Sequence, residues 1–113
     1  MPKIIYKNKV IAENCKVANT ALSRMKGLLG TRSWKEFGSD GLYFIRANSA
    51  HSFFLPYSID IVFLKKNNQI VHTQSLHPWR IAYSLKSSNM LELPHQTITR
   101  FNITTDNFLE FQN

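Results

Sequence analysis

The chain has 113 residues, a net charge of +7, a hydrophobic fraction of 43% and one cysteine. This length predicts a single domain, 1–113, with a real core, and the apolar content excludes a disordered chain. No apolar run approaches the roughly 20 residues of a membrane-spanning helix, and no apolar leader follows the first lysines. We therefore expect a cytoplasmic protein, or a periplasmic or exported one if a leader has been removed.

Positive charge is concentrated at the start of the chain. Residues 1–46 carry nine Lys and Arg against three Asp and Glu, whereas residues 47–113 carry five against four. Such a surplus attracts nucleic acid, a membrane surface or an acidic protein. The cations are scattered singly, without the aromatic or zinc-finger patterns of nucleic-acid binders. This favours a solvated surface over nucleic-acid binding.

Short strands dominate the predicted elements, since β-branched and aromatic runs alternate with turn formers. The predicted strands are 4–6, 10–17, 41–45, 51–55, 59–64, 69–74, 89–93 and 108–111. Residues 7–9 predict a tight turn. Asn67 and Asn68 predict a hairpin between the fifth and sixth of these strands, because Asn tolerates a positive φ.

One helix is predicted at 20–29, where Thr20 caps the first turn and Gly30 supplies a C-terminal stop. A second helical turn is predicted at 97–101. Many short strands with one short helix near 20–29 indicate a mainly β fold. We expect a compact antiparallel β-barrel or sandwich, which some definitions would class as α+β.

The predicted strand 59–64 contains Asp60, although the other residues on both of its faces are apolar. A buried carboxylate without a partner costs several kcal/mol, so Asp60 needs a donor or a polar pocket. His51 and Arg80 are the candidate donors, because an imidazole or a guanidinium neutralises a carboxylate well. Two readings stay open: a buried pair that fixes strand order, or a polar cluster facing a ligand.

Other candidate residues surround this pair. Glu92 is a second carboxylate in an apolar strand, and Trp79 is either a packing anchor or a platform for stacking a ligand. Three further imidazoles are weaker candidates: His72, His77 and His95. Cys15 is expected in the core rather than as a reactive thiol. The sequence has no GxSxG, P-loop, HExxH or CxxC motif, so we predict no catalytic set, no cofactor and no metal.

Five motifs follow one another along the chain: "ANTALSRMKGLLG", "GLYF", "HSFFLPYSIDIVFL", "HPWR" and "MLELP". In order and spacing they resemble the domain of unknown function 192 family, over about residues 17 to 111. The resemblance implies a small, mostly β domain, no established activity, and relatives encoded beside pilus or secretion genes. It also implies a set of recurring polar residues: Thr20, Arg24, His51, Asp60, Arg80 and Glu92.

The chain departs from the family pattern at several turns. Asn67 and Asn68 stand where the resemblance implies Asp-Gly, and Ser58 stands where it implies Pro before Ile-Asp. After Leu-Glu-Leu-Pro, His95 and Gln96 occupy a segment in which a Gly is expected. Near the end of the chain, residues 105–106 read Thr-Asp in place of Gly-Asp. These changes imply altered loops and a modified ligand, or none.

The leading hypothesis is a non-enzymatic binding or assembly module with a polar pocket. Its partner would be a small polar ligand, a peptide segment or another protein. One alternative is a small hydrolase or lyase that uses His51 with Asp60 as the orienting carboxylate. Another is binding of an anionic polymer through the basic first third. The predicted ligand-binding residues are His51, Asp60, Arg80, Glu92, Trp79 and Arg24.

Overall fold

A computed structural model describes residues 1–18 and 28–113, which form ten β-strands and two short helices. Most of the predicted helix 20–29, with Thr20 and Arg24, lies outside the described residues. The strands are β1 (Lys3–Tyr6), β2 (Lys9–Ala12), β3 (Cys15–Ala18), β4 (Gly41–Phe44), β5 (Ser49–His51), β6 (Ile59–Leu64), β7 (Ile70–Leu76), β8 (Ile81–Tyr83), β9 (Asn89–Pro94) and β10 (Leu109–Gln112). The helices are α1 (Trp34–Phe37) and α2 (Thr97–Phe101).

Three sheets account for the strands. The largest has the order β3-β4-β9-β6-β7, and all its pairs are antiparallel except β3 with β4. A second sheet has the order β10-β1-β2, and β5 pairs with β8 in a third. Within the described part of the chain the sheets stay open, so the sandwich-like alternative fits and the closed barrel does not. The predicted mainly β fold is confirmed.

The five-stranded sheet is buried on both faces because β6 and β9 are nearly continuous apolar runs. One face carries Val62 and Leu91, and it packs on the three-stranded sheet around Ile4. The opposite face carries Phe63 and packs under β5, β8 and α1. Each fully buried side chain of this size contributes roughly 1.5–3 kcal/mol to stability.

Local turn chemistry explains both predicted hairpins. Lys7 and Asn8 have φ values of 48° and 67°, as a type I′ turn requires. Asn68 has φ 70° between β6 and β7, which pair as predicted. The predicted strand 10–17 divides into β2 and β3, because the Asp40 carboxylate accepts bonds from two successive N–H groups at the bend.

The prediction for 51–55 is wrong. His51 ends β5, a strand of three residues that pairs with β8. Residues 52–58 form turns instead of a strand, and the buried side chain of Ser52 binds them to the segment 77–80. Its hydroxyl donates to the His77 carbonyl and accepts from the Arg80 N–H at 2.9 Å. Neither β8 nor α1 was predicted, whereas the predicted helical turn at 97–101 coincides with α2.

Candidate functional site

Asp60 is fully buried and accepts three hydrogen bonds. The Ser75 hydroxyl donates to Oδ1 over 2.8 Å, and His95 Nδ1 lies 3.2 Å from the same oxygen. The Ile98 N–H donates to Oδ2 over 2.8 Å. The prediction that Asp60 is shielded from water and has a nearby donor is therefore confirmed.

The predicted partners of Asp60 were wrong, because its imidazole comes from His95 rather than from His51. Strands β6 and β9 run antiparallel with Ile59 opposite Pro94, so the residue after Pro94 lies beside the start of β6. The contact between His95 and Asp60 depends on the pairing of β6 with β9. The sequence did not predict that pairing, so it did not predict the contact.

Asp60 also holds α2 in place. Gln96, at the start of this helix, makes no side-chain capping bond of its own. The carboxylate of Asp60 instead accepts the Ile98 N–H, one of the donors that a first helical turn leaves without an intrahelical partner. The interior carboxylate therefore has a structural task, which is to fasten α2 to the five-stranded sheet.

Glu92 lies on the opposite face of that sheet. Ile61 pairs with Glu92 and Asp60 pairs with Leu93, so the two carboxylates point away from each other. Burial raises the pKa of Glu92 to about 8. The two acids therefore lie on opposite faces of one sheet, and a binding role for each stays a prediction.

Two imidazoles extend the Asp60 contacts towards the surface. His77 and His95 lie with ring centroids 5.8 Å apart, and Ser58 Oγ lies 2.8 Å from His77 Nδ1. The His95 side chain is 37% exposed, while Asp60 behind it is sealed. Hydrogen bonds thus join Ser58 to His77 and His95 to Asp60, and the two rings are in edge-to-face contact. The sequence offered only weak grounds for either imidazole.

A cleft of about 610 Å³ opens beside His95, between β2 and α2. Its lining includes Arg100 from α2, Glu13 after β2, and Asp40. The volume falls in the range of small-ligand sites, and charges of both signs face the opening.

Three of the predicted site residues lie near one another around Phe53 and the segment 79–80. The His51 ring stacks on Phe53 at 5.0 Å, and Phe53 lies 5.6 Å from Trp79. Arg80 is exposed, and its Nη1 donates to the Trp79 carbonyl over 3.3 Å. His51, Trp79 and Arg80 therefore share one surface, and none of them is a hydrogen-bond partner of Asp60.

This surface carries a row of apolar side chains in water, here called the exposed stripe: Trp79, Ile81, Tyr83 and Leu85. Their exposed fractions are 55%, 62%, 64% and 81%, whereas Ala82 between them is 2% exposed. An amphipathic strand normally buries its large apolar residues and exposes the others. In β8 and its flanks the pattern is inverted, because the small residue faces the core.

Backbone strain marks the same place. Phe54 and Trp79 have φ values of 67° and 62°, and their rings meet at 4.7 Å. A left-handed conformation costs a bulky residue on the order of 1–2 kcal/mol, and such strain concentrates at functional sites. The bonds of Ser52 hold the strained segment, since its carbonyl also accepts the Trp79 N–H at 3.1 Å.

The surroundings of the exposed stripe are basic. The sequence has no Asp or Glu between 61 and 91, while Arg80 and Lys86 fall within that interval. Both of these cations are exposed. The surface therefore combines apolar side chains with positive charge.

Two kinds of feature are absent from residues 1–18 and 28–113: a metal-binding cluster and a membrane-spanning helix. No group of three or more His, Cys, Asp or Glu is gathered there as a metal-binding cluster. None of the helices in these ranges is long and apolar enough to cross a membrane. Cys15 is buried in the core, as predicted, and burial raises the pKa of its thiol to about 12.

Together, these observations define a small, mainly β, sandwich-like protein with an interior polar cluster and an exposed apolar surface. The chain belongs to the domain of unknown function 192 family, whose model, described as "Uncharacterized ACR", matches residues 4–111. The resemblance drawn from the motifs is confirmed.

A relative from Thermococcus sibiricus, called a "UPF0127 protein", is 35% identical over 80 residues. The match covers 66% of this chain and 49% of the relative, so it spans about half of that protein's length.

Two solved structures share the fold. One, from Sinorhizobium meliloti 1021, is described as a "putative transcription regulator"; it has a TM-score of 0.78 at 18% identity, over 97% of this chain and 91% of its own. The other, a protein of unknown function from Novosphingobium aromaticivorans DSM 12444, has a TM-score of 0.73 at 14% identity, over 96% and 82%. At these identities the likeness concerns the fold alone.

Proposed function

We propose that this protein is a non-enzymatic binding module whose exposed stripe receives an extended, acidic and apolar peptide segment of a partner protein. The inverted alternation of β8 carries the proposal. Large apolar side chains at every second position stand in water, and contiguous exposed apolar surface marks interaction sites.

An extended peptide fits the stripe for geometric reasons. Within the described residues β8 is the last strand of its sheet, with β5 on one side. The edge of such a strand presents unpaired N–H and C=O groups, to which a peptide can add as a further strand. Side chains of that peptide at every second position would then meet Ile81 and Tyr83, with Trp79 and Leu85 at the two ends of the strand.

Charge selects an acidic segment. Arg80 and Lys86 stand beside the stripe, and the whole chain carries +7. Acidic side chains of the partner would pair with these cations at the rim while its apolar residues cover the stripe. Since the family resemblance implies pilus or secretion genes as neighbours, components of that machinery are the first natural partners to test.

Under this proposal, the residues of the predicted polar pocket fall into two groups. His51, Trp79 and Arg80 belong to the binding surface, whereas Asp60 and Glu92 serve the interior. The enzymatic alternative is weakened, because the Asp60 carboxylate accepts from Ser75, His95 and the Ile98 N–H rather than orienting His51.

Fluorescence anisotropy with a labelled synthetic peptide of eight alternating Val and Glu residues tests the proposal. We expect saturable binding that Ile81→Ser and Tyr83→Ser each weaken about tenfold, because an apolar anchor at the centre of an interface contributes 1 kcal/mol or more. Phe108→Ser is the matched control, since Phe108 is 53% exposed elsewhere and its loss should leave binding unchanged.

A peptide of alternating Val and Lys should bind far more weakly than the acidic one. Equal effects of Ile81→Ser and Phe108→Ser would contradict the proposal. Oligothymidine binding that is lost as salt rises, with no acidic-peptide binding, would favour the nucleic-acid alternative, for which exposed aromatic and cationic groups are also suited.

A further inference from the structure

We propose that His77 and His95 form a binding site for a divalent transition-metal ion, with Zn²⁺ as the representative ion. His77 is two residues before Trp79 in the chain. The site uses imidazole nitrogens and none of the apolar side chains of the stripe, so it does not depend on the proposed function. It uses two imidazoles that the fold brings together from the end of β7 and the end of β9.

The separation of the rings suits one shared ion. Two imidazoles bonded to the same Zn²⁺, each with a Zn–N distance of about 2 Å, have ring centres about 5–6 Å apart. The centroids of His77 and His95 are 5.8 Å apart, and their planes are inclined by 68°. The ring separation is therefore compatible with one ion shared by the two side chains.

Each ring is also oriented for metal binding through its second nitrogen. Asp60 Oδ1 lies 3.2 Å from His95 Nδ1, so the carboxylate accepts that N–H and leaves the Nε2 lone pair available. Ser58 Oγ lies 2.8 Å from His77 Nδ1, and a hydroxyl can accept from that N–H in the same way. Metal-ligating histidines characteristically carry such a partner on the other ring nitrogen.

The site is open to ions from solvent. His77 is exposed, and the His95 side chain is 37% exposed beside the cleft. The described residues supply two ligands, so water would complete the tetrahedral set that Zn²⁺ prefers. His95 occupies the segment in which the family resemblance implies a Gly, so we expect the site in this chain and not throughout the family.

Titration of Zn²⁺ into the whole chain, followed by calorimetry and by imidazole nitrogen NMR, tests the site. We expect one equivalent of Zn²⁺ to shift the Nε2 resonances of His77 and His95. The Nε2 resonances of His51 and His72 should not move. Perturbation of all four histidines alike would overturn the proposal.

Variants make the assignment specific. His77→Ala and His95→Gln should each weaken Zn²⁺ binding by at least about tenfold, and Ser58→Ala by about tenfold through the orientation of His77. His72→Ala is the matched control and should leave the affinity unchanged. His77→Ala decides the matter if the His95 variant is misfolded, because His77 is exposed. An unchanged affinity in folded His77→Ala would refute the site.

Discussion

Asp60 with its partners Ser75, His95 and Ile98, here called the Asp60 cluster, differs from the exposed stripe in how it departs from normal burial. Polar groups normally lie at the surface and large apolar groups in the core, and the two regions break this rule in opposite directions. Asp60 is a carboxylate sealed in the core, and the protein itself supplies its three donors. The stripe is apolar surface left in water, and the described residues do not cover it. The fold thus accounts for the polar anomaly and leaves the apolar one unexplained. The exposed stripe is therefore the observation on which the proposed peptide binding rests.

Removing the interior carboxylate should have the largest effect. Asp60→Ala removes an acceptor of three hydrogen bonds from a fully buried position and leaves the half-buried Ile98 N–H without its partner, so we expect a loss of about 3 kcal/mol in unfolding free energy. Urea denaturation measures it. Ser75→Ala removes one bond of the cluster and should cost about 1 kcal/mol. A loss below 1 kcal/mol for Asp60→Ala would make the cluster incidental to stability.

The buried carboxyl group of Glu92 should make the unfolding free energy depend on pH. The folded protein holds the Glu92 proton more tightly than the unfolded chain does, since burial raises its pKa from 4.5 to about 8. The contribution of Glu92 to the unfolding free energy therefore falls as pH rises from about 4.5 to about 8, by a few kcal/mol. Glu92→Gln should remove this dependence. Parallel stability–pH curves for the two proteins would contradict the assignment.

Substitution by glycine should stabilise the protein at the strained position beside the stripe, whereas it destabilises ordinary loop positions. Phe54→Gly relieves a φ of 67° at a residue that is 73% exposed, so we expect a gain of about 0.5–1 kcal/mol. Leu85→Gly, at an exposed position without positive φ, should lose about 0.5–1 kcal/mol. Thermal denaturation compares the two variants. Destabilisation by both would mean that the Phe54 ring outweighs the strain.

The smallest effect concerns Cys15. Burial raises the pKa of its thiol to about 12, so the reactive thiolate is nearly absent at neutral pH. A thiol reagent should react slowly with the native protein and at once in denaturant. Rapid modification of the native protein would show that the interior opens far more readily than its packing indicates.

The fold was predictable where the signals are local. The turns at 7–9 and at Asn68 follow from residues that tolerate positive φ, and α2 follows from a short helical pattern. The contact of Asp60 with His95 joins residues 35 positions apart, and the antiparallel register of β6 and β9 creates it. Composition and spacing do not predict that register. The sequence therefore predicted that Asp60 needs a donor, but it did not predict that the donor is His95.

The exposed stripe escaped prediction for a different reason. Its alternation was present in the sequence, but pattern reading assigns the larger apolar residues to the interior. Here Ala82 faces the core and Tyr83 faces water. A rule that assigns the larger apolar residues to the interior therefore fails at a strand whose small residue is the buried one.

Amide hydrogen exchange, measured with and without the acidic Val-Glu peptide, tests the binding surface most directly. If a peptide strand adds to β8, backbone amides at 79–85 should exchange more slowly in its presence, while those of β2 and α2 keep their rates. Saturating peptide that leaves 79–85 unprotected, or protects the cleft beside α2 instead, would contradict the account.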